Sequence, residues 1–300
     1  MDHHTSPQFY LSQWGDRLCV MRRVHGGKIA HTYKGVKGTG YHTDLYKTEG
    51  VPEEGAHDLE TKFMSPMDND AATALQELLS GIEPRNERYR RAWAMFICSL
   101  LYRNKEVVEL LNSHMAALWS EGTKSLEPMW QEQRKPGDSR TLSETTKAKL
   151  GDRAGSDARE MIKEIIDHDR AVPDIMRMHW NVIDVAGASR ELLTSDRPIV
   201  MPLGLANPEA HIALAIAPTK LFVAAYNERF KTLPTASKSR IVRIMNKTVV
   251  QQAREFVWGT DHSQEHFVQK NIGLLPDRIV LTDEQREKSL KAARGEIEPD

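Results

Sequence analysis

The chain has little cysteine, few aromatic residues, almost no net charge and no long apolar run, and each shortage removes a class of protein. Cys19 and Cys98 are the two cysteines, far apart, with Cys98 inside an apolar helical pattern. No disulfide framework is expected from such a pair, and a reducing, cytoplasmic setting fits. No window approaches the roughly 18 uninterrupted apolar residues of a membrane-spanning helix. The opening Met-Asp-His-His-Thr-Ser-Pro lacks the basic start and apolar core of a signal peptide, so a soluble intracellular protein without a membrane partner is expected. With 41 basic against 42 acidic residues the formal charge is −1, which leaves no global field to draw in nucleic acid or a membrane surface. Any polyanion site must be local. The glycine-punctuated loop around Gly35, Gly38 and Gly40 lacks the Gly-Lys-Ser/Thr ending of a phosphate-binding loop and reads as a flexible connection. No cofactor signature and no internal repeat stand out.

What is present is a block of strand-like runs between Met178 and Glu228. Met178 to Val185, Glu191 to Pro202, His211 to Pro218 and Lys220 to Asn227 are short, apolar, rich in β-branched or aromatic residues, and closed by Gly, Pro, Asn or Asp. Together they predict a central sheet, and links far shorter than a parallel crossover needs make it largely antiparallel. Upstream, Leu18 to Met21 and Lys28 to Lys34 flank His25-Gly26-Gly27-Lys28, the pattern of a hairpin.

Elsewhere the period is helical. Phe63, Met64 and Met67 fall three, four and seven residues after Glu60, which places Glu60 on an apolar face. Asp68 or Asp70 is a candidate cap for a helix from Ala71 to Leu79. A longer helix starts near Glu87 with the stripe Trp93, Phe96, Ile97, Leu100 and Leu101, and Arg103 begins on that face. Lys105 to Trp130 reads as further helix, interrupted at Gly122 and closed near Pro128. Residues 131–155 form a charged surface excursion, Ala158 to Asp167 a short helix, and Asp261 to Asn271 another. Ala236 to Trp258 gives the strongest helical stripe, with Asn246 between Val242 and Val250. The expected architecture is a single α+β domain over residues 1–275, a largely antiparallel sheet covered by helices, with an exposed charged tail over 276–300.

Glu60, Arg103 and Asn246 are polar residues on apolar stripes, and burying such groups is costly unless they bond to one another or to a ligand. A structural network satisfies that need: Glu60 at a helix N-terminus, Arg103 reaching out at a helix end, Asn246 on a loop carbonyl. The sharper expectation adds His4 and Asp196, so that all five converge on a cleft with Glu60, Asp196 and His4 as catalytic groups and Arg103, Asn246 and Ser195 binding an anionic substrate. Asp196, in Ser-Asp-Arg-Pro, is also an ordinary turn carboxylate that bonds amides two residues on. His262-Ser-Gln-Glu265-His266 has the order of an inverted zinc-peptidase motif, but only a charged tail follows to supply a third ligand, so an exposed polar face is expected there and no metal site.

Several of these blocks together resemble a known family. His4-Thr-Ser-Pro7-Gln-Phe-Tyr10-Leu11 looks like the His-x-x-Pro-x-x-Tyr-Leu opening of the widespread, mostly bacterial domain of unknown function numbered four-two-three-eight. Tyr46, Leu59-Glu60, Met67-Asp68, Phe96-Ile97 with Arg103, His179-Trp180, Leu193-Thr-Ser195-Asp196-Arg-Pro198, Ala217-Pro218 and Asn246 continue the likeness. The resemblance implies one continuous α+β domain and names no reaction. The functional expectation from the residues is a hydrolase-type enzyme acting on a phosphorylated or nucleic-acid substrate. Its rival is a non-catalytic binding or regulatory module holding a small anionic ligand. Oligomeric state is not legible.

Overall fold

The computed structural model describes residues 2–24, 27–47, 57–135, 137–151, 153–227 and 237–298. His25 and Gly26 of the expected hairpin turn, and the expected boundaries at Glu228 and Ala236, lie outside them. The chain forms one α+β domain with antiparallel sheets packed against helices.

At the N-terminus β1 (Asp2–His4) pairs with β4 (Tyr41–Thr43), and α1 (Gln8–Leu11) begins after Pro7. Gly40 permits this closeness: at φ 70°, a Cβ there would sit 3.0 Å from Leu11 and 3.2 Å from Ser6. β2 (Arg17–Arg23) and β3 (Ile29–Gly35) form the expected hairpin. In the helical half, a π-helical turn over Leu59–Met64 runs into α2 (Ser65–Leu79), which packs against α3 (Glu87–Tyr102). α4 (Lys105–Gln133) follows at once, because Asn104 caps it by accepting from the Val107 amide at 3.1 Å. Arg103 therefore sits in the corner between two helices.

Three expectations are corrected here. α4 runs through Gly122 and Pro128, held along its length by α5 (Leu142–Leu150), α6 (Arg153–Ile166) and α10 (Asp283–Ala293). The excursion of residues 131–155 thus contains a helix, started by a reciprocal Thr141/Glu144 capping box. The charged tail carries α10, started by a Thr282/Gln285 capping box and resting on α4, where Ser289 meets His114 at 3.1 Å.

The expected central sheet divides in two. After α7 (Ala171–Arg177), β5 (His179–Asp184), β7 (His211–Ala217) and β8 (Lys220–Ala225) form a three-stranded antiparallel sheet in the order β5-β8-β7. The remaining run supplies β6 (Thr194–Ser195) to a second sheet, in the order β3-β2-β9-β6. β9 is Phe256–Gly259, the stretch expected to finish the long helix: α8 (Lys238–Gln252) stops at Ala253 and the chain extends. Tyr10 ties the sheets together, donating to the Ala215 carbonyl at 2.8 Å and meeting the Thr194 hydroxyl at 2.6 Å. The main core lies between the three-stranded sheet and α2 and α3, centred on Trp93, Phe96 and Phe222. Both cysteines are buried and free.

Candidate functional site

The corner residue Arg103 is 1% exposed. Its Nη1 donates to both oxygens of Asp68 on α2, at 3.2 and 3.3 Å, and its guanidinium lies 5.6 Å from the Phe96 ring. Its carbonyl accepts from the buried Tyr46 hydroxyl at 2.9 Å. Nε and Nη2 have no hydrogen-bond partner among the described residues although both are buried. These two N–H groups form one edge of the guanidinium fork, the edge that grips a carboxylate or phosphate with two parallel bonds. A cation has been taken out of water with its most selective face unmatched.

Glu60 and His4 lie near enough for the Arg103 charge to act on both. Glu60 lies in the π-helical turn, a distortion that re-aims side chains off the regular stripe. Its Oε2 is buried and unpartnered among the described residues. Burial pushes its carboxyl up to about 7, more than the Arg103 charge pulls it down, and Asp68 adds to the rise. Burial raises Asp68 too, against the opposing pull of Arg103. His4, at the end of β1, is held below the ordinary imidazole value by burial and then by Arg103. Its Nε2 lies 2.8 Å from the Gln8 amide nitrogen, which can only donate, so the neutral ring carries its proton on Nδ1. That Nδ1 is again buried and unpartnered among the described residues. His4, Glu60 and Asp68 are half-buried and give the cluster a side toward water; Arg103 and Tyr46 form its dry side.

A second row of groups braces this site. His3 points inward because side chains alternate along β1; it accepts from the Tyr46 amide at 2.8 Å, stacks on the Tyr46 ring and lies 3.1 Å from His57. Burial holds the His3 imidazole down at about 4, with His57 acting in the same direction. Sequence reasoning missed His3 and His57, and it read Asp68 as a helix cap. The signal for Asp68 was its position about two turns beyond Glu60, at the i, i+4, i+8 spacing of one helix face.

Asp196, Ser195 and Asn246 do not join the cluster. Asp196 accepts from the backbone amides of Arg254, Glu255 and Phe256, the shortest at 2.6 Å, and so holds the turn from α8 into β9. It does turn chemistry, but on a segment far along the chain and not on its own loop. Burial pushes its carboxyl up to about 6, opposed by those amides. Ser195 donates to the Val249 carbonyl at 3.2 Å and accepts from the Arg197 amide at 3.1 Å. Asn246 accepts from the Leu193 amide at 2.9 Å and donates to the Glu191 carbonyl and the Gln264 side chain at 2.8 and 3.0 Å. The block containing Ser195 sends a different residue to a pocket: Arg197 lines a cavity of about 600 Å³ with Leu101, Asn104, Met201 and Asp277. Arg103 does not line it. His262 stacks on His31, whose Nδ1 is 2.7 Å from Glu265, so this motif's His262 and Glu265 serve the contact between β3 and α9 (Glu265–Asn271). Among the described residues no group of three or more His, Cys, Asp or Glu could hold a metal ion.

Residues 2–263 match the family described as Protein of unknown function (DUF4238), and the chain belongs to it. No curated protein and no solved structure matches the chain. No helix among the described residues is long and apolar enough to cross a membrane.

Proposed function

We propose that the cluster of Arg103, Glu60, Asp68 and His4 is an acid/base site for hydrolysis of a phosphorylated substrate in a cytoplasmic setting. The observation that carries this reading is the unmatched Nε/Nη2 edge of a buried guanidinium whose charge acts on an unpartnered carboxylate that titrates near 7. Arg103 binds two phosphoryl oxygens, Asp68 positions it through Nη1, and the His4 Nδ1–H donates a hydrogen bond to an oxygen of the substrate. Glu60 takes the proton of a water whose oxygen bonds to phosphorus as the P–O bond to the leaving group breaks, and the leaving oxygen takes up a proton from solvent. Ser195, Asp196 and Asn246 frame the fold in this reading and touch no substrate. A second reading, a module that holds a small anion without turning it over, draws on the 1% exposure of Arg103, which favours slow, tight occupancy. Purified protein assayed against phosphomonoester, phosphodiester and nucleic-acid panels separates the two. Turnover that rises with pH through about 7 and falls by about 100-fold or more in Glu60→Gln supports the enzyme. Turnover unchanged in Glu60→Gln removes the site; anion binding with no turnover leaves the module.

A further inference from the structure

Separate from the chemistry described so far, α8 carries Lys238, Arg240, Arg243 and Lys247 and no acidic residue between Lys238 and Gln252. In a chain of net charge −1 this is a local concentration of one sign. Arg240, Arg243 and Lys247 are exposed, and at spacings of three and four they line one face of the helix. None of them, nor the exposed Arg190 alongside, has an ion pair among the described residues, whereas Arg22, Arg88, Arg91, Arg197, Arg254 and others elsewhere are paired with carboxylates. Beside this row the loop before β6 and the start of α9 border a pocket of about 570 Å³, lined by Arg190, Arg240, Arg243, Ser189, Ser239 and Phe267. The nearest carboxylate of that loop, Glu191, is turned to the Thr260 hydroxyl and opens on an adjoining cleft.

We infer that this face binds single-stranded nucleic acid. A row of unpaired cations about 10 Å long along a helix matches successive backbone phosphates, and the pocket beside it offers an aromatic wall and polar groups to one unstacked nucleotide. A concave pocket of this volume takes a nucleotide and cannot take a duplex. The site is independent of the Arg103 cluster and stands whether or not that cluster is catalytic.

The test is fluorescence anisotropy of labelled single-stranded and duplex oligonucleotides with the full chain, across a salt series. Single strands are expected to bind with log K falling by about 3 per decade of salt, as about four cationic contacts imply. Arg240→Glu/Arg243→Glu is expected to weaken binding at least 10-fold and flatten the salt slope; if that variant misfolds by circular dichroism, Arg240→Gln/Lys247→Gln is expected to do so about 3-fold. Lys124→Gln, which removes an exposed cation on α4, should bind as the wild type does, which ties the loss to this face. The inference is overturned by no binding of single strands at low salt, by binding that charge reversal leaves unchanged, by duplex bound as tightly as single strand, or by inorganic phosphate displacing the oligonucleotide at equal phosphate concentration.

Discussion

Arg103 and Asn246 are both nearly inaccessible, 1% and 2% exposed, and both stand where an apolar stripe needs an apolar residue. Around Asn246 the hydrogen bonding is complete: its oxygen takes the Leu193 amide, and its nitrogen serves the Glu191 carbonyl and Gln264, which itself returns to Glu191. Around Arg103 the Nη1 group is matched by Asp68 while Nε and Nη2 have no partner among the described residues, and neither do Glu60 Oε2 and His4 Nδ1, whose side chains feel the Arg103 charge. The amide node is neutral and closes on itself, so it fixes a loop. The guanidinium node is charged and open, so it has capacity left for a water or an anion. Burial of a polar group is therefore a poor guide to function; what separates the two nodes is whether the bonding is finished.

The largest effect that sharpens this contrast is expected from Arg103→Met. It leaves the half-buried Asp68 and Glu60 without their cation, and breaking such a pair costs about 3 kcal/mol, the low end of the range because Asp68 keeps 18% side-chain exposure. The loss should be greater at pH 8 than at pH 5, since Glu60, raised to about 7, is protonated at pH 5 and no longer needs the cation. Urea unfolding at both pH values measures it; equal losses would mean that the carboxyls do not depend on Arg103.

Asn246→Ala is expected to cost less, about 2 kcal/mol, by stranding the buried Leu193 amide. This loss should be the same at pH 5 and pH 8, because the node is built of backbone amides, backbone carbonyls and side-chain carboxamides, none of which carries a titrating proton. A pH-dependent loss would show that the two nodes communicate, and the distinction drawn between them would fail.

How much of this was legible depended on whether the deciding partner was near in sequence. The antiparallel strands were, because hairpin-length links leave no other pairing; the Thr141/Glu144 and Thr282/Gln285 boxes of α5 and α10 are equally local, yet the charged composition around them led to an expected excursion and tail in place of helices. The membership of Thr194–Ser195 was not: it is decided by β9, some sixty residues on. Phe256 to Trp258 continue the period of Val249, Val250 and Ala253, yet they are strand because Asp196 captures three amides just after Ala253 and stops the helix. The same holds for the site. Arg103 and Glu60 announced themselves by interrupting apolar stripes, and His4 joined them. Asp196 and Ser195 misled because a turn motif describes the residues that donate and accept, not which distant backbone they hold. His3 was hidden by the period of two that puts it inside and His4 at the rim.

The smallest effect, and the one most specific to the open node, concerns Glu60→Gln. In the unfolded chain Glu60 ionises near its ordinary 4.5, and in the folded protein near 7, because burial outweighs Arg103. Between those values the folded state holds the proton more tightly, so its stabilising contribution is full below pH 4.5 and is lost as pH rises through 7. The glutamine variant has no such proton to lose. It should therefore match the wild type near pH 4.5 and exceed it by about 1 kcal/mol at pH 8, an amount reduced by the water that reaches this half-buried side chain. Asp196, raised to about 6, tilts both proteins the same way and cancels in the difference. Thermal unfolding of the two proteins from pH 4.5 to 8 gives that difference directly. Parallel curves would mean that Glu60 ionises normally in the folded protein, and the open node would then lack the base on which its proposed chemistry depends.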